Sequence, residues 1–316
     1  MTASRLLTLS LAALLGTAAA APVALAQVPS QEARRPAEDA ELQAAIAKAN
    51  AYTALANRTL RAIDSWNRYK SWVDMKRGPT GKERYIDYGM YSLYDVTGEI
   101  AKAEAATANP PAQPELDGSV RRYIKAYQEL APLVTRGERY YDRKDYRDDG
   151  AAEGRELHVR MVPAAEIFLR ERAAFDQQLN AYKKMVDARD LAAIEAAEGR
   201  SARWQLRNIM INARAVMDTM PSNEKPIVDL KAFDEALAGY AAAIREMDRF
   251  KDANPSGVPM IESSAGSWLG SLRDFRDKLG RAKGDVRKGA ASDANRLVSS
   301  YNMMISMSEG AARMIR

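Results

Sequence analysis

The chain has 316 residues, with 47 lysines and arginines against 42 aspartates and glutamates, a formal net charge of +5 and no cysteine. The lack of cysteine excludes disulfides, thiolate metal sites and cysteine nucleophiles. The small positive excess is spread over segments in which both signs alternate, which argues against nucleic acid as a partner.

The N-terminus has the pattern of a cleavable signal peptide. Arg5 supplies the positive start, the apolar run 6–15 follows, and Ala-Leu-Ala at 24–26 is a small-x-small cleavage site. A retained membrane anchor is disfavoured because the apolar run is shorter than the ~20 residues of a spanning helix. We therefore expect residues 1–26 to be removed, leaving a mature chain of charge +4 in the periplasm or outside the cell.

After a leader, 27–40, that we expect to be flexible, apolar residues recur at steps of three and four, as in amphipathic helices. The pattern predicts about eight helices, with buried stripes at Leu42 to Met75, Ile86 to Ile100, Ser119 to Tyr141, Leu157 to Val186, Leu206 to Met220, Phe233 to Met247, Trp268 to Val286 and Val298 to Ile315. No segment alternates as a β-strand would. We expect an all-α protein, an elongated antiparallel bundle or two stacked bundles. Chain length favours a boundary near Gly150, between subdomains 41–150 and 151–316.

Two local signals refine this picture. Gly78 and Gly81 flank Pro79-Thr80, and Thr80 with Glu83 has the spacing of a capping box, so the second helix should begin there. Pro163 lies inside the fourth predicted helix and should kink it.

The most distinctive stretch is 140–158, YYDRKDYRDDGAAEGRELH, which we call the acidic hinge. It holds six acidic residues and the only histidine of the chain. Its polar and aromatic side chains could line a binding site, and the candidate binding residues are Tyr141, Asp145, Tyr146, Asp148, Asp149 and His158.

The acidic hinge, with GPTGKE at 78–83 and LVSSYN at 297–302, resembles the YiiG-like family of bacterial envelope proteins, a domain of unknown function. The resemblance covers about residues 45–308 and brings no established activity. Family members are often lipoproteins. This chain departs from that pattern, because without cysteine it cannot be lipidated at a lipobox.

A calcium loop is one interpretation of the hinge. Asp145, Asp149 and Glu156 fall at positions one, five and twelve of an EF-hand loop. Arg147 stands at the third position, where a guanidinium supplies no oxygen ligand and repels the cation. The alternative is a charge-balanced helix end with Gly150 as a left-handed C-cap.

The sequence contains no recognisable set of catalytic residues. His158 has no second ligand three or four residues away, and we expect it to be a structural residue bonded to a neighbouring acid. We therefore expect no cofactor and a non-catalytic binding or structural module of the envelope. Its partner would be an unknown envelope protein or an anionic envelope polymer, the latter suggested by the basic residues of the seventh helix. The alternative is a cation-binding or hydrolytic protein that uses the hinge.

Overall fold

The computed structural model describes residues 31–221, 226–255 and 261–314. These ranges contain nine α-helices: α1 (Gln31–Arg58), α2 (Leu60–Lys70), α3 (Thr97–Ala108), α4 (Pro114–Asp142), α5 (Ala152–Glu198), α6 (Ala202–Met217), α7 (Leu230–Ala253), α8 (Glu262–Arg281) and α9 (Ala291–Met314). They contain no strand beyond an isolated bridge between Ile227 and Asp285. The all-α prediction is therefore confirmed.

The described residues from Ala40 onward form one compact unit. The predicted signal peptide, 1–26, lies outside the described residues. Of the predicted leader, residues 27–30 also lie outside the described residues, and residues 31–40 belong to α1, which begins at Gln31. None of the helices in the described ranges carries an apolar stretch long enough to cross a membrane.

The first predicted helix is two helices, interrupted at Thr59. The Thr59 hydroxyl bonds back to the carbonyls of Leu55 (2.7 Å) and Ala56 (3.1 Å). Such bonds compete with the helical hydrogen bonds and bend helices. The next helix, α2, begins at Leu60 and ends at Lys70, five residues before the predicted end at Met75.

The second predicted helix was wrong over most of its length. Residues 71–96 form an irregular segment whose only helical piece is the 3₁₀ turn Ile86–Tyr88, and α3 starts at Thr97. The contacts between Thr80 and Glu83 do form, but the Glu83 carboxylate also binds the backbone N–H of Gly81 at 3.0 Å and no helix follows. Gly89 adopts φ +55°, ψ −136°, a conformation open to glycine that stops a helix.

The described residues build two hydrophobic cores. The first takes its buried side chains from α1 to α5 and from the irregular segment, and extends to Val186. The second starts at Leu206 and is formed by α6 to α9. The boundary predicted at Gly150 stays a prediction. Helix α5 is one 47-residue helix that continues through Pro163 and contributes to the first core.

Candidate functional site

The acidic hinge joins the end of α4 to the start of α5. The chain turns through three residues with positive φ, Lys144 (62°), Gly150 (60°) and Ala151 (65°), and through a 3₁₀ turn at Asp145–Arg147. Non-glycine residues seldom hold this conformation unless surrounding contacts fix it. The hinge is therefore a defined connection.

Asp149 is the capping residue of α5. Its Oδ1 accepts hydrogen bonds from the Tyr140 hydroxyl and from the Ala151 N–H, both at 2.8 Å, and its Oδ2 accepts from the Glu153 N–H at 2.9 Å. Burial opposes the charge, yet the Glu153 and Tyr140 hydrogen bonds hold the pKa of Asp149 below its ordinary value. Both oxygens thus have structural partners.

The remaining hinge acids do not converge on a common point. The Arg143 guanidinium donates to Asp145 at 2.7 Å, Glu156 lies 3.8 Å from Arg160, and Asp148 is exposed. Across the described ranges, no three histidine, aspartate or glutamate side chains are grouped as a metal ion would require. The geometry gives the calcium hypothesis no support.

Tyr141 and His158 lie inside the first core. His158 Nδ1 is 2.9 Å from the hydroxyl of Tyr69, so its partner is a tyrosine of α2 and not the acid we expected. The Tyr141 hydroxyl is buried and has no hydrogen-bond partner within the described part of the chain. Burial, together with the nearby Tyr69 hydroxyl, raises the pKa of Tyr141. These residues pack in an aromatic cluster and are buried, with Tyr141 2% and His158 7% exposed.

Tyr146 connects the hinge to the irregular segment. Its hydroxyl donates to Asp87 Oδ1 at 2.9 Å, and Lys144 Nζ lies 3.1 Å from the same oxygen. The Arg147 guanidinium is 5.9 Å from the centroid of the Tyr146 ring and forms no bridge to the hinge acids. Of the six candidate residues, then, five bind structural partners or pack in the core, and only Asp148 does neither. The hinge positions the segment 71–96.

That segment carries a surface the sequence analysis missed, formed with the arginines of α1 and α2. Every third residue from 85 to 94 is a tyrosine, and we call the surface the tyrosine–arginine face: Tyr85, Tyr88, Tyr91, Tyr94, Arg58, Arg61 and Arg68. Tyr85, Tyr88 and Tyr94 are 42%, 51% and 50% exposed. Tyr85 and Tyr88 stack on each other with ring centroids 5.1 Å apart.

The three arginines bind this segment in a repeated way. Each donates its Nε–H to a backbone carbonyl of the segment: Arg58 to Asp95 at 3.1 Å, Arg61 to Ser92 at 3.3 Å and Arg68 to Tyr88. Each guanidinium also lies against tyrosine rings, with carbon-to-centroid distances of 4.5 Å for Arg58–Tyr94, 3.9 Å for Arg61–Tyr91 and 4.2 Å for Arg68–Tyr91. Contacts of this kind contribute about 0.5–1 kcal/mol at exposed sites.

Between α2 and the segment lies a cleft of about 500 Å³. We call it the α2 cleft, and its lining includes Arg61, Asp64, Asn67, Arg68, Tyr88 and Tyr91. Among the described residues, no carboxylate forms an ion pair with Arg58, Arg61 or Arg68, and Asp64 has no hydrogen-bond partner. The cleft therefore combines exposed rings, hydrogen-bond donors and one free carboxylate.

The sequence held a partial signal for this face. The three-residue spacing of the tyrosines is visible, but it falls in a stretch whose apolar residues suggested a helix. The contacts between the tyrosine segment and the arginines join residues far apart in the chain, so no local sequence pattern indicates them.

Comparison with known proteins identifies the family of this chain. The model of the family described as "Protein of unknown function (DUF3829)" matches residues 43–309, and the chain belongs to that family. The chain is also 27% identical over 312 residues to the uncharacterized protein YiiG of Escherichia coli (strain K12), covering 90% of this chain and 84% of that protein. The predicted resemblance over 45–308 is thus confirmed. No solved structure matches the chain significantly.

Proposed function

We propose that this protein is a non-catalytic binding protein of the bacterial envelope, exported by the segment 1–26, and that it binds its partner through the tyrosine–arginine face. The observation that carries the proposal is the set of half-exposed tyrosines beside arginines without ionic partners. Tyrosine and arginine are among the residue types that contribute most to binding at protein interfaces, and a guanidinium without an ionic partner can bind a carboxylate or a phosphate through two hydrogen bonds.

Comparison with other charged surfaces of the chain supports this choice. A cleft of about 700 Å³ beside α4 also presents three arginines, but two of them are already paired: Arg136 with Glu153 at 2.6 Å and Arg143 with Asp145 at 2.7 Å. On α8, the predicted basic face, Arg276 is paired with Asp234 at 2.7 Å. Paired charges have less to gain from a new ligand, because an existing partner must first be displaced.

The hinge keeps a supporting role in this proposal. The Tyr146 and Lys144 contacts to Asp87 hold the segment that carries the tyrosines. A preorganised surface loses less conformational entropy on binding than a mobile one. The hinge thus contributes to binding without contacting the ligand.

Export is tested by expressing the full chain in a Gram-negative host and recovering it from the osmotic-shock fraction. Intact mass should place the first residue at Gln27. Retention of residues 1–26 in a cytosolic protein would overturn the envelope assignment.

Binding is tested by co-sedimentation of the purified mature protein with washed bacterial envelopes. The wild type should sediment with them, and the double variant Tyr88→Ala/Tyr94→Ala should lose at least about tenfold in apparent affinity, as removal of two hot-spot residues would cause. Met303→Ala, which removes an equally exposed side chain of α9, is the matched control and should sediment as the wild type does. Equal sedimentation of the three proteins, or none, would overturn the proposal.

A further inference from the structure

We infer that the α2 cleft is a carbohydrate-binding site, and that it takes a saccharide bearing a carboxylate. This inference rests on the proposed function, since it names the ligand of the same face. It starts from the composition of the cleft, which combines two tyrosine rings with arginine, asparagine and aspartate side chains.

A sugar ring is apolar on the face that presents its C–H groups and polar along its hydroxyl edge. The negative face of an aromatic ring attracts such C–H groups, and Tyr88 keeps about half of its surface open to receive them. The hydroxyl edge needs both donors and acceptors. Asp64 supplies an acceptor and Asn67 supplies both, so the lining matches both aspects of the ring.

A protein partner fits the cleft less well. The centre of a protein interface is apolar and depleted of charged residues. No aliphatic side chain lines this cleft, whereas Arg61, Asp64 and Arg68 do. A protein would have to desolvate these three charges without an apolar contact to offset the loss.

The guanidinium groups of Arg61 and Arg68 favour an acidic sugar over a neutral one as the ligand. Arg61 and Arg68 use their Nε–H groups on backbone carbonyls, and within the described part of the chain their Nη groups have no acceptor. These groups can donate two parallel hydrogen bonds to a carboxylate. With Asp64 as the only acid in the lining, the cleft has a local charge of +1.

The test is isothermal titration calorimetry of the mature protein with three probes: a galacturonic acid tetramer, a neutral N-acetylglucosamine tetramer and phosphatidylglycerol vesicles. We expect the acidic tetramer to bind at least tenfold more tightly than the neutral one. Arg61→Met should abolish that preference, and Tyr88→Ala should weaken both saccharides at least tenfold. Arg77→Met, which replaces an exposed arginine of the same segment outside the cleft, is the matched control and should leave both affinities unchanged.

A second variant, Asp64→Asn, should fold as the wild type does, because Asp64 is exposed and makes no hydrogen bond within the described part of the chain. It should bind the acidic tetramer more tightly, since the one opposing charge is removed.

The outcomes separate this inference from the proposed function. If envelope binding depends on Tyr88 and Tyr94 but neither tetramer binds, the carbohydrate inference is wrong and the proposed function stands. Binding of the phosphatidylglycerol vesicles alone would also overturn the carbohydrate inference, and it would identify the ligand as a lipid. If the wild-type protein does not bind envelopes at all, both the proposed function and the carbohydrate inference are wrong.

Discussion

Asp149 shows how a single carboxylate can define the start of a long helix. Replacement by alanine removes its three hydrogen bonds and leaves the first N–H groups of α5 without their acceptor. We expect Asp149→Ala to lower the free energy of unfolding by ~1–2 kcal/mol, measured by urea denaturation. The adjacent Asp148→Ala, an exposed acid without such bonds, should change it by less than about 0.5 kcal/mol. Equal effects would contradict the capping role.

The same carboxylate should give this difference a pH dependence. The folded pKa of Asp149 lies below the ordinary value of 3.8, so its stabilisation is present above that pH and is lost as pH falls through the folded pKa. The stability difference between the wild type and Asp149→Ala should therefore be constant near neutral pH and shrink below pH 3.8. A difference that stays constant on acidification would show that the carboxylate charge plays no part.

Gly154, in the first turn of α5, is tightly enclosed, so that a side chain there would displace its neighbours. A Cβ there would lie 3.0 Å from the Tyr141 hydroxyl, 3.1 Å from a Tyr140 ring carbon and 3.2 Å from Pro79. Although alanine favours helices by about 1 kcal/mol over glycine, overpacking costs about 1–3 kcal/mol. We expect Gly154→Ala to lower the thermal midpoint and Gly270→Ala to raise it, because Gly270 in α8 has open space around it. Two shifts of the same sign would contradict this packing.

At the scale of elements, α1 is joined to α4 by a buried ion pair. Lys48 Nζ lies 3.1 Å from both oxygens of Asp117, which also accept from the Tyr52 hydroxyl and from the Gln113 N–H. Asp117→Ala leaves the Lys48 charge buried and should cost about 3–5 kcal/mol in urea denaturation, whereas Lys48→Met/Asp117→Leu should cost far less. Should the double variant lose as much as the single one, the hydrogen bonds to Tyr52 and Gln113 would be the stabilising contacts.

The elements also show what the sequence could and could not predict. The spacing of apolar residues located α4, α7 and α8, with ends within about six residues of those observed, because a helix that packs against a core must repeat its apolar residues at that spacing. The same rule failed over 71–96, where apolar side chains reach the core from an irregular backbone fixed by Gly89 and by arginines of α1 and α2. For this reason the tyrosine–arginine face was missed, while His158 and Asp149 were identified as hinge residues but not with their partners.

At the scale of the whole molecule, the two cores meet where α5 continues into α6. Ion pairs contribute to the link: the Arg207 guanidinium donates to Asp187 at 2.8 Å and to Asp190 at 2.6 Å, and Arg214 also donates to Asp187. Ile194 of α5 and Trp204 of α6 are also buried but belong to neither core. Partly exposed ion pairs stabilise less than apolar packing of similar extent. The two cores share none of their buried apolar residues, so each should be able to lose its packing while the other retains it.

This independence predicts the result of hydrogen exchange on core variants. Phe275 is buried in the second core, with its ring centroid 5.8 Å from that of Phe233, and Phe275→Ala should cost about 3–5 kcal/mol. We expect amide exchange, followed by mass spectrometry, to accelerate across α6 to α9 and to stay near the wild-type rate in α4. Phe168→Ala, in the first core, should give the reverse pattern. Local unfolding of contiguous units explains such a split. Uniform acceleration in both variants would instead mean that the ion pairs of α5 and α6 couple the two cores into one cooperative unit, and Asp187→Ala should then separate them.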